Sequence, residues 1–191
     1  DPFNFNVNLD INQINFRKLF KNNENIKNQK ISKKINGIMN VKIKSLDTLF
    51  GKLKDTKMKL NFQNGDLKIT DITAKLPYES TLNSNLQILL NNKKPIIEYK
   101  VNFSSANAKK FLRKLNIYDF SQKKANWYSE GLIDIKNRKI SIKKLLKDQV
   151  RITNKNQIKL LEDTFNKNVI NDEIIDVFDS FKIKKSLKEI Y

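Results

Sequence analysis

Apolar and polar residues alternate along much of this chain, which is the pattern of β-strands with one buried face and one face in water. Between residues 52 and 103 the alternation recurs four times, and residues typical of turns separate the runs. Similar runs occur at residues 3–11, 35–44 and 126–142. We therefore predict an α+β fold that is mainly β: a curved antiparallel meander sheet with short flanking helices and a helical C-terminal tail.

The dipeptide Asn64-Gly65 predicts the register of the first hairpin in this stretch. Both residues tolerate positive φ, so they suit a two-residue turn whose twist matches that of the flanking strands. Such a turn places Phe62 opposite Leu67 and Leu60 opposite Ile69. These four side chains should then share one face of the sheet.

The apolar phase of the returning strand shifts after Ile69, and the next inward residue is Ile72. One extra residue near Thr70-Asp71, a β-bulge, would bring Met58 back opposite an apolar side chain. The sequence therefore predicts a bend in the sheet at this point.

Helical spacing of apolar residues predicts the remaining elements of the β-rich part. A helix is expected at residues 106–115, capped by Ser104-Ser105, with Ala108, Phe111 and Leu112 on its packed side. Shorter helical segments are expected at residues 15–22 and 46–51.

The character of the chain changes after Val150, where apolar residues follow helical spacing throughout. Asn154 with Gln157 resembles a capping box at the start of a helix. We therefore divide the chain into a β-rich module, residues 1–153, and a C-terminal segment of two or three helices, residues 154–191.

The residue types needed for catalysis are scarce. There is no cysteine and no histidine, which removes thiol nucleophiles, the usual zinc sites and the commonest general base. Acidic residues lie in a turn at Asp66, at the predicted bulge at Asp71 and at adjacent helical positions in Glu162-Asp163 and Asp172-Glu173, and a carboxylate pair across strands is the arrangement left open. The four glycines are isolated, so no phosphate-binding glycine loop is indicated. We predict no catalytic residue, no metal site and no cofactor, and hence a protein that is not an enzyme.

The net charge of +18 could indicate nucleic acid or an anionic surface as a partner. However, lysines are scattered along the outward faces of strands, and abundant Lys, Asn, Ile and Phe are what A+T-rich codons encode. Most aromatic residues fall in the apolar phase of their strands, although either Trp127 or Tyr128 must face outward because they are adjacent. These observations disfavour nucleic acid, and a basic nucleic-acid or anionic-surface binding module stays as the alternative.

The apolar face of the sheet is the remaining candidate for function. Patterning alone favours packing of this face against a second layer, which would make the chain a structural interaction domain with a closed core. The functional hypothesis is that the sheet curls into a groove filled by the acyl chains of a phospholipid. The residues that would line the groove are Met58, Leu60, Phe62, Leu67, Ile69, Leu86, Ile88, Tyr99, Val101 and Phe103.

The order of elements from residue 53 to residue 117 resembles the C-terminal part of AsmA-family proteins. The resemblance begins with the strand, Asn64-Gly65 turn and returning strand of residues 58–69. It continues through Ile72-Thr73-Ala74-Lys75-Leu76-Pro77-Tyr78 and a further strand. It ends with Tyr99-Lys100-Val101-Asn102-Phe103, which leads into a short Lys-rich helix.

This resemblance implies an envelope protein of a Gram-negative-type bacterium, with a periplasmic β-rich body that forms an elongated apolar groove. It implies a role in phospholipid movement toward the outer membrane or in outer-membrane assembly, and no catalytic residues. The chain begins with Asp1-Pro2 rather than Met. We therefore expect it to be a piece of a longer protein that an N-terminal segment anchors in the inner membrane.

Overall fold

The computed structural model describes residues 2–15, 31–48, 51–89, 95–114, 122–134, 136–137 and 139–166. Within these residues the chain forms one open sheet and two short helices, so the prediction of a mainly β protein with flanking helices is confirmed. The strands are β1 (Phe3–Asn15), β2 (Ile35–Thr48), β3 (Gly51–Gln63), β4 (Asp66–Leu76), β5 (Ser80–Leu89), β6 (Ile96–Ser105), β7 (Ala125–Asp134), β8 (Lys139–Lys147) and β9 (Val150–Arg151). The helices are α1 (Ala108–Lys114) and α2 (Lys155–Phe165).

The strands lie in the sheet in the order in which they occur in the sequence. Each neighbouring pair from β2 onward is antiparallel, whereas β1 and β2 run parallel, with Phe3 beside Ile35 and Ile11 beside Ile43. The prediction of an antiparallel sheet is therefore wrong at its first pair. The reason is the long connection of residues 16–34, because a parallel return needs about a dozen or more residues whereas an antiparallel one can be made by a tight turn.

The hairpin predicted from Asn64-Gly65 is confirmed. The two turn residues have φ values of 52° and 84°, as a two-residue turn of the mirror-image type requires. Phe62 lies opposite Leu67, and Leu60 lies opposite Ile69.

The bulge predicted near Asp71 is also present. Strand β4 has one residue more than both of its neighbours at this point, and Asp71 has a φ of 56°. A second bulge, which was not predicted, lies in β3 at Asp55, where φ is 50°. The extra residue in β3 offsets the one in β4, so pairing resumes with Lys54 opposite Lys75.

The helical turn predicted at residues 46–51 is wrong where the structure describes it. Strand β2 continues to Thr48, and Leu46 lies opposite Leu53 in the β2–β3 pair. Leu46 is 8% exposed there, so the burial gained by cross-strand pairing overrides the local helical spacing. Of the helix predicted at residues 15–22, Asn15 belongs to β1 and the rest lies outside the described residues, as do residues 167–191 of the predicted helical tail.

Helix α1 packs on the sheet with the side that the sequence predicts. Ala108, Phe111 and Leu112 are buried together with a residue of β7 in what we call the α1 cluster. Ser105 lies before the helix, and its Oγ accepts a hydrogen bond from the backbone N–H of Asn107 at 3.2 Å, in the turn that leads into α1.

A second cluster, which we call the β2 cluster, consists of Val41, Ile43 and Leu46. It is separated from the α1 cluster by the strands in the middle of the sheet. The described part of the chain therefore has two small cores rather than one continuous core.

Helix α2 and the residue that follows it bind strand β8 through side chains, along the part of β8 that the two-residue strand β9 leaves unpaired. The side chain of Asn154 caps the helix, as predicted, by accepting hydrogen bonds from the first-turn N–H groups. Further along, Glu162 Oε1 accepts the backbone N–H of Ile142 at 2.6 Å, and Asn166 Oδ1 accepts that of Ile140 at 2.7 Å. Two outward N–H groups of β8 are thereby satisfied by the helix.

Candidate functional site

The structure places all ten predicted groove residues on one face of the sheet. The cross-strand register aligns them in rows that run across neighbouring strands, with side chains in adjacent positions. The rows contain Leu60, Ile69, Leu86 and Tyr99; Phe62, Leu67 and Ile88; and, beside these, Met58, Val101 and Phe103.

These residues differ in how far the rest of the chain covers them. Tyr99 is buried, at 8% exposed, and the other nine are partly exposed. Met58 and Leu60 pack against the β2 cluster, and Phe103 packs against the α1 cluster. The others belong to neither cluster, so the middle of the apolar face lies between the two small cores of the described residues.

Two glycines on this face each lie across from an aromatic residue of the neighbouring strand. Gly37 pairs with Phe5, and Gly131 pairs with Tyr99. A β-carbon at position 37 would lie 2.7 Å from the Phe5 ring, and one at position 131 would lie 2.8 Å from the Tyr99 hydroxyl. The missing side chains therefore leave space that the aromatic rings use. Patterning alone does not reveal this pairing, because it depends on the register between strands.

The hydroxyl of Tyr99 is a polar group on the apolar face, in the row that also contains Leu60, Ile69 and Leu86. It lies 3.3 Å from Ser129 Oγ, close enough for a hydrogen bond. Burial raises the pKa of Tyr99, the hydrogen bond to Ser129 opposes that shift, and the charge of Glu162 adds to it. The phenol is therefore neutral at physiological pH and adds no charge to the face.

Trp127 and Tyr128 point to opposite faces, as their adjacency requires. The indole of Trp127 stacks on Phe103 on the apolar face, with ring centroids 5.3 Å apart. Phe103 in turn contacts Phe111 of α1 at 4.9 Å. Three aromatic rings thus close one end of the apolar face.

Tyr128 lies on the polar face, in contact with charged residues. Its hydroxyl donates a hydrogen bond to the Glu130 carboxylate, and Lys144 Nζ lies 5.6 Å from the centre of its ring. The hydrogen bond raises the pKa of Tyr128 to about 12 and lowers the pKa of Glu130. Tyr128 is the outward-facing ring that could have stacked on a nucleic-acid base, and it is instead in contact with Glu130 and Lys144.

The polar face also carries a feature that the sequence did not indicate, an open cavity of about 600 Å³ formed by residues of β1 to β5. Lys42 and Lys57 line it and lie directly opposite each other. Asp55, at the β3 bulge, accepts a hydrogen bond from Lys75 Nζ at 2.8 Å, which lowers the pKa of Asp55. The lining residues are Asp10, Ile11, Asn12, Lys42, Ile43, Lys44, Asp55, Thr56, Lys57, Thr73, Ala74, Lys75, Thr81 and Asn83.

Comparison of the chain with protein-family models, with curated proteins and with solved structures gave no significant match. Within the described residues, neither helix has the length and apolar character needed to cross a membrane. In the same part of the chain, no cluster of three or more acidic residues has the arrangement of a metal site. The candidate site is therefore defined by its geometry: an apolar face on one side of the sheet and a lysine-lined cavity on the other.

Proposed function

We propose that this chain is a non-enzymatic module of a bacterial envelope protein, whose apolar sheet face binds phospholipid acyl chains. In this proposal it takes part in phospholipid transport or outer-membrane assembly in the periplasm, and the parent protein is anchored in the inner membrane. The resemblance to AsmA-family proteins supports the same role. The same resemblance is the basis for the cellular location and for the anchor of the parent protein.

The proposal is supported mainly by the partial exposure of apolar side chains in the middle of the apolar face. Ile69 and Leu86 lie side by side there, partly exposed and outside both clusters of the described residues. Burial of an acyl chain stabilises a complex by about 0.8 kcal/mol per fully desolvated CH₂ and needs no directional polar groups. A surface lined by aliphatic and aromatic side chains meets that requirement.

We further propose that the sheet curves around the acyl chains at the β3–β4 pair. The bulges at Asp55 and Asp71 lie on facing strands, and a bulge increases local twist and bends its strand. Two bulges close together support a curved surface at the place where Met58 and Leu60 approach the β2 cluster.

Trp127 offers a direct test, because it is the single tryptophan of the chain and lies on the apolar face. The 191-residue chain would be mixed with vesicles of phosphatidylethanolamine and phosphatidylglycerol whose acyl chains carry bromine, a quencher of indole fluorescence. We expect quenching that saturates with lipid, and phospholipid retained in native mass spectra after gentle purification. Absence of both signals would overturn the proposal.

Matched variants locate the binding surface. I69Q/L86Q should weaken lipid binding about tenfold or more, because polar amides would have to be desolvated beside the acyl chain. K68Q/K100Q changes neighbouring positions on the polar face and should leave acyl-chain binding within about twofold. Equal effects of the two variants would contradict binding at the apolar face, and circular dichroism checks that each variant is folded.

The cavity on the polar face favours a second candidate, binding of an anionic ligand. Lys42 and Lys57 face each other, and the cavity lining contains four lysines but only two aspartates, Asp10 and Asp55, so it carries an excess of positive charge. If this is the site, K42Q/K57Q should abolish binding of anionic vesicles or DNA, and the affinity of the wild-type chain should fall steeply with salt. Binding through acyl chains should instead depend weakly on salt.

A further inference from the structure

The two edges of the sheet differ in how their backbone groups are protected. At one edge, where only the two-residue strand β9 lies beyond it, β8 carries four lysines and donates two N–H groups to the side chains of Glu162 in α2 and of Asn166, which follows α2. At the other edge, β1 has no lysine or arginine among its 13 residues, in a chain that has 38 such residues. Lysines, bulges and covering helices are the devices that keep sheet edges from pairing. Strand β1 has none of them within the described residues.

The orientation of the outward groups of β1 follows from its pairing with β2. The N–H of Phe3 donates to the carbonyl of Lys34 at 2.7 Å, so Phe3 directs its backbone groups toward β2. Successive residues of a strand alternate in this respect. Asn4, Asn6 and Asn8 therefore direct their backbone N–H and C=O groups outward, where the described part of the chain provides no partner for them.

The sequence of β1 is complementary to itself when two copies run antiparallel. With Val7 opposite Val7 of a second copy, Phe5 lies beside Leu9 and Phe3 beside Ile11 on the apolar face. On the polar face Asn6 meets Asn8 and Asn4 meets Asp10, so no two charges face each other. Phe3 is 66% exposed and Leu9 is 37% exposed, and both would gain an apolar neighbour.

We propose that β1 is the dimerisation edge of this chain, where it pairs antiparallel with β1 of a second copy about a two-fold axis at Val7. About eight backbone hydrogen bonds would form between the outward groups of residues 4, 6, 8 and 10. Because Val7 and its counterpart lie on the same side of the joined sheet, the two apolar faces become one continuous surface. This dimer does not rest on lipid binding, because it needs only the backbone of β1.

Disulfide trapping tests the register directly, since the chain has no native cysteine. In this register Val7 forms a non-hydrogen-bonded pair with its counterpart, whose α-carbons are about 4.5 Å apart. That separation lies within the roughly 4.4–6.8 Å that a disulfide spans. V7C should form a covalent dimer under mild oxidation in the absence of lipid. V150C, at a 71% exposed residue of β9, is the control and should form little.

Light scattering provides the second measurement. The wild-type chain should be dimeric at high micromolar concentration, and N6K/N8K should weaken the dimer about tenfold because the new lysines would face each other across the axis. N83K/Q87K adds the same charge to the central strand β5 and should leave the dimer unchanged. A monomeric wild type, a V7C chain that oxidises no faster than V150C, or a dimer insensitive to N6K/N8K would each overturn the proposal.

Discussion

The hydroxyl of Tyr99 lies 2.8 Å from the place that a β-carbon of residue 131 would occupy. Tyr99 and Gly131 face each other across the β6–β7 pair, next to a shift in register between β7 and β8. The same β-carbon would clash with the backbone carbonyl oxygen of Ser141 in β8. Glycine is therefore needed at this position because two neighbouring strands approach it from both sides.

G131A should accordingly destabilise the fold. We expect a loss of about 1–3 kcal/mol in the free energy of unfolding, the usual cost of forcing an extra methyl group into a packed site. Urea unfolding followed by circular dichroism measures it. N83A, at an exposed position of β5, should change the free energy by less than about 0.5 kcal/mol. A G131A chain as stable as N83A would show that the strands can separate at little cost.

The bulge residue Asp71 provides a test of backbone strain. Its φ of 56° is unfavourable for most side chains and most of all for β-branched ones. D71V should therefore lose about 1–2 kcal/mol of stability, whereas D71G should lose none. T73V, two residues along the same strand at a residue with ordinary φ, is the control for the loss of polarity. Equal stabilities of D71V and D71G would contradict the bulge.

Removing the carboxylate of Glu162 should leave a backbone N–H group of β8 without its hydrogen-bond acceptor. E162A leaves the N–H of Ile142 without its 2.6 Å partner, which should cost about 1–3 kcal/mol. E162Q retains an acceptor oxygen and should lose less. D163A changes an exposed neighbour on the same helix and serves as the control. Hydrogen exchange by NMR should show faster exchange of the Ile142 amide in E162A, and an unchanged rate would contradict the role of Glu162.

The pair of Tyr128 and Glu130 predicts a pH dependence. Its hydrogen bond raises the pKa of Tyr128 from 10.0 to about 12, so E130Q should return that pKa toward 10.0. NMR titration of the labelled tyrosine rings measures the shift, and Y128F identifies the signal. A Tyr128 pKa unchanged in E130Q would contradict the interaction.

The sign of the effect on stability follows from proton linkage. A raised tyrosine pKa stabilises the fold fully below pH 10 and loses its contribution as the pH rises from 10 to about 12. The lowered pKa of Glu130 stabilises the fold above its ordinary value of 4.5, and that contribution disappears as the pH falls below this value. E130Q should remove both dependences from denaturation curves recorded across pH.

Predictions from local pattern succeeded where neighbouring strands are joined by short turns. The Asn64-Gly65 turn fixed the pairing of Phe62 with Leu67, and the shift of apolar phase located the bulge at Asp71. The bulge at Asp55 was not predicted, although the lysines fall at positions 52 and 54 before it and at 57 and 59 after it, a shift of phase by one residue. The bulge at Asp55 compensates for the extra residue in β4, so that the two strands pair again at Lys54 and Lys75.

Predictions failed where a distant partner decided the structure. Leu46, Leu49 and Phe50 have helical spacing in the sequence, but Leu46 belongs to a strand because Leu53 provides a cross-strand partner for it. The parallel orientation of β1, the aromatic rings beside Gly37 and Gly131, and the lysine-lined cavity all depend on contacts between residues far apart in the chain.

The sequence by itself determined which side chains share the apolar face, because the side-chain period of a strand is two and the Asn64-Gly65 turn sets the phase of the hairpin. The tertiary structure decided how that face is used. Helix α1 packs on one part of it, β2 forms a second cluster on another, and Ile69 and Leu86 lie between them. Alternation along a strand contains no information about which elements cover it, because covering depends on contacts that form only when the whole sheet is assembled.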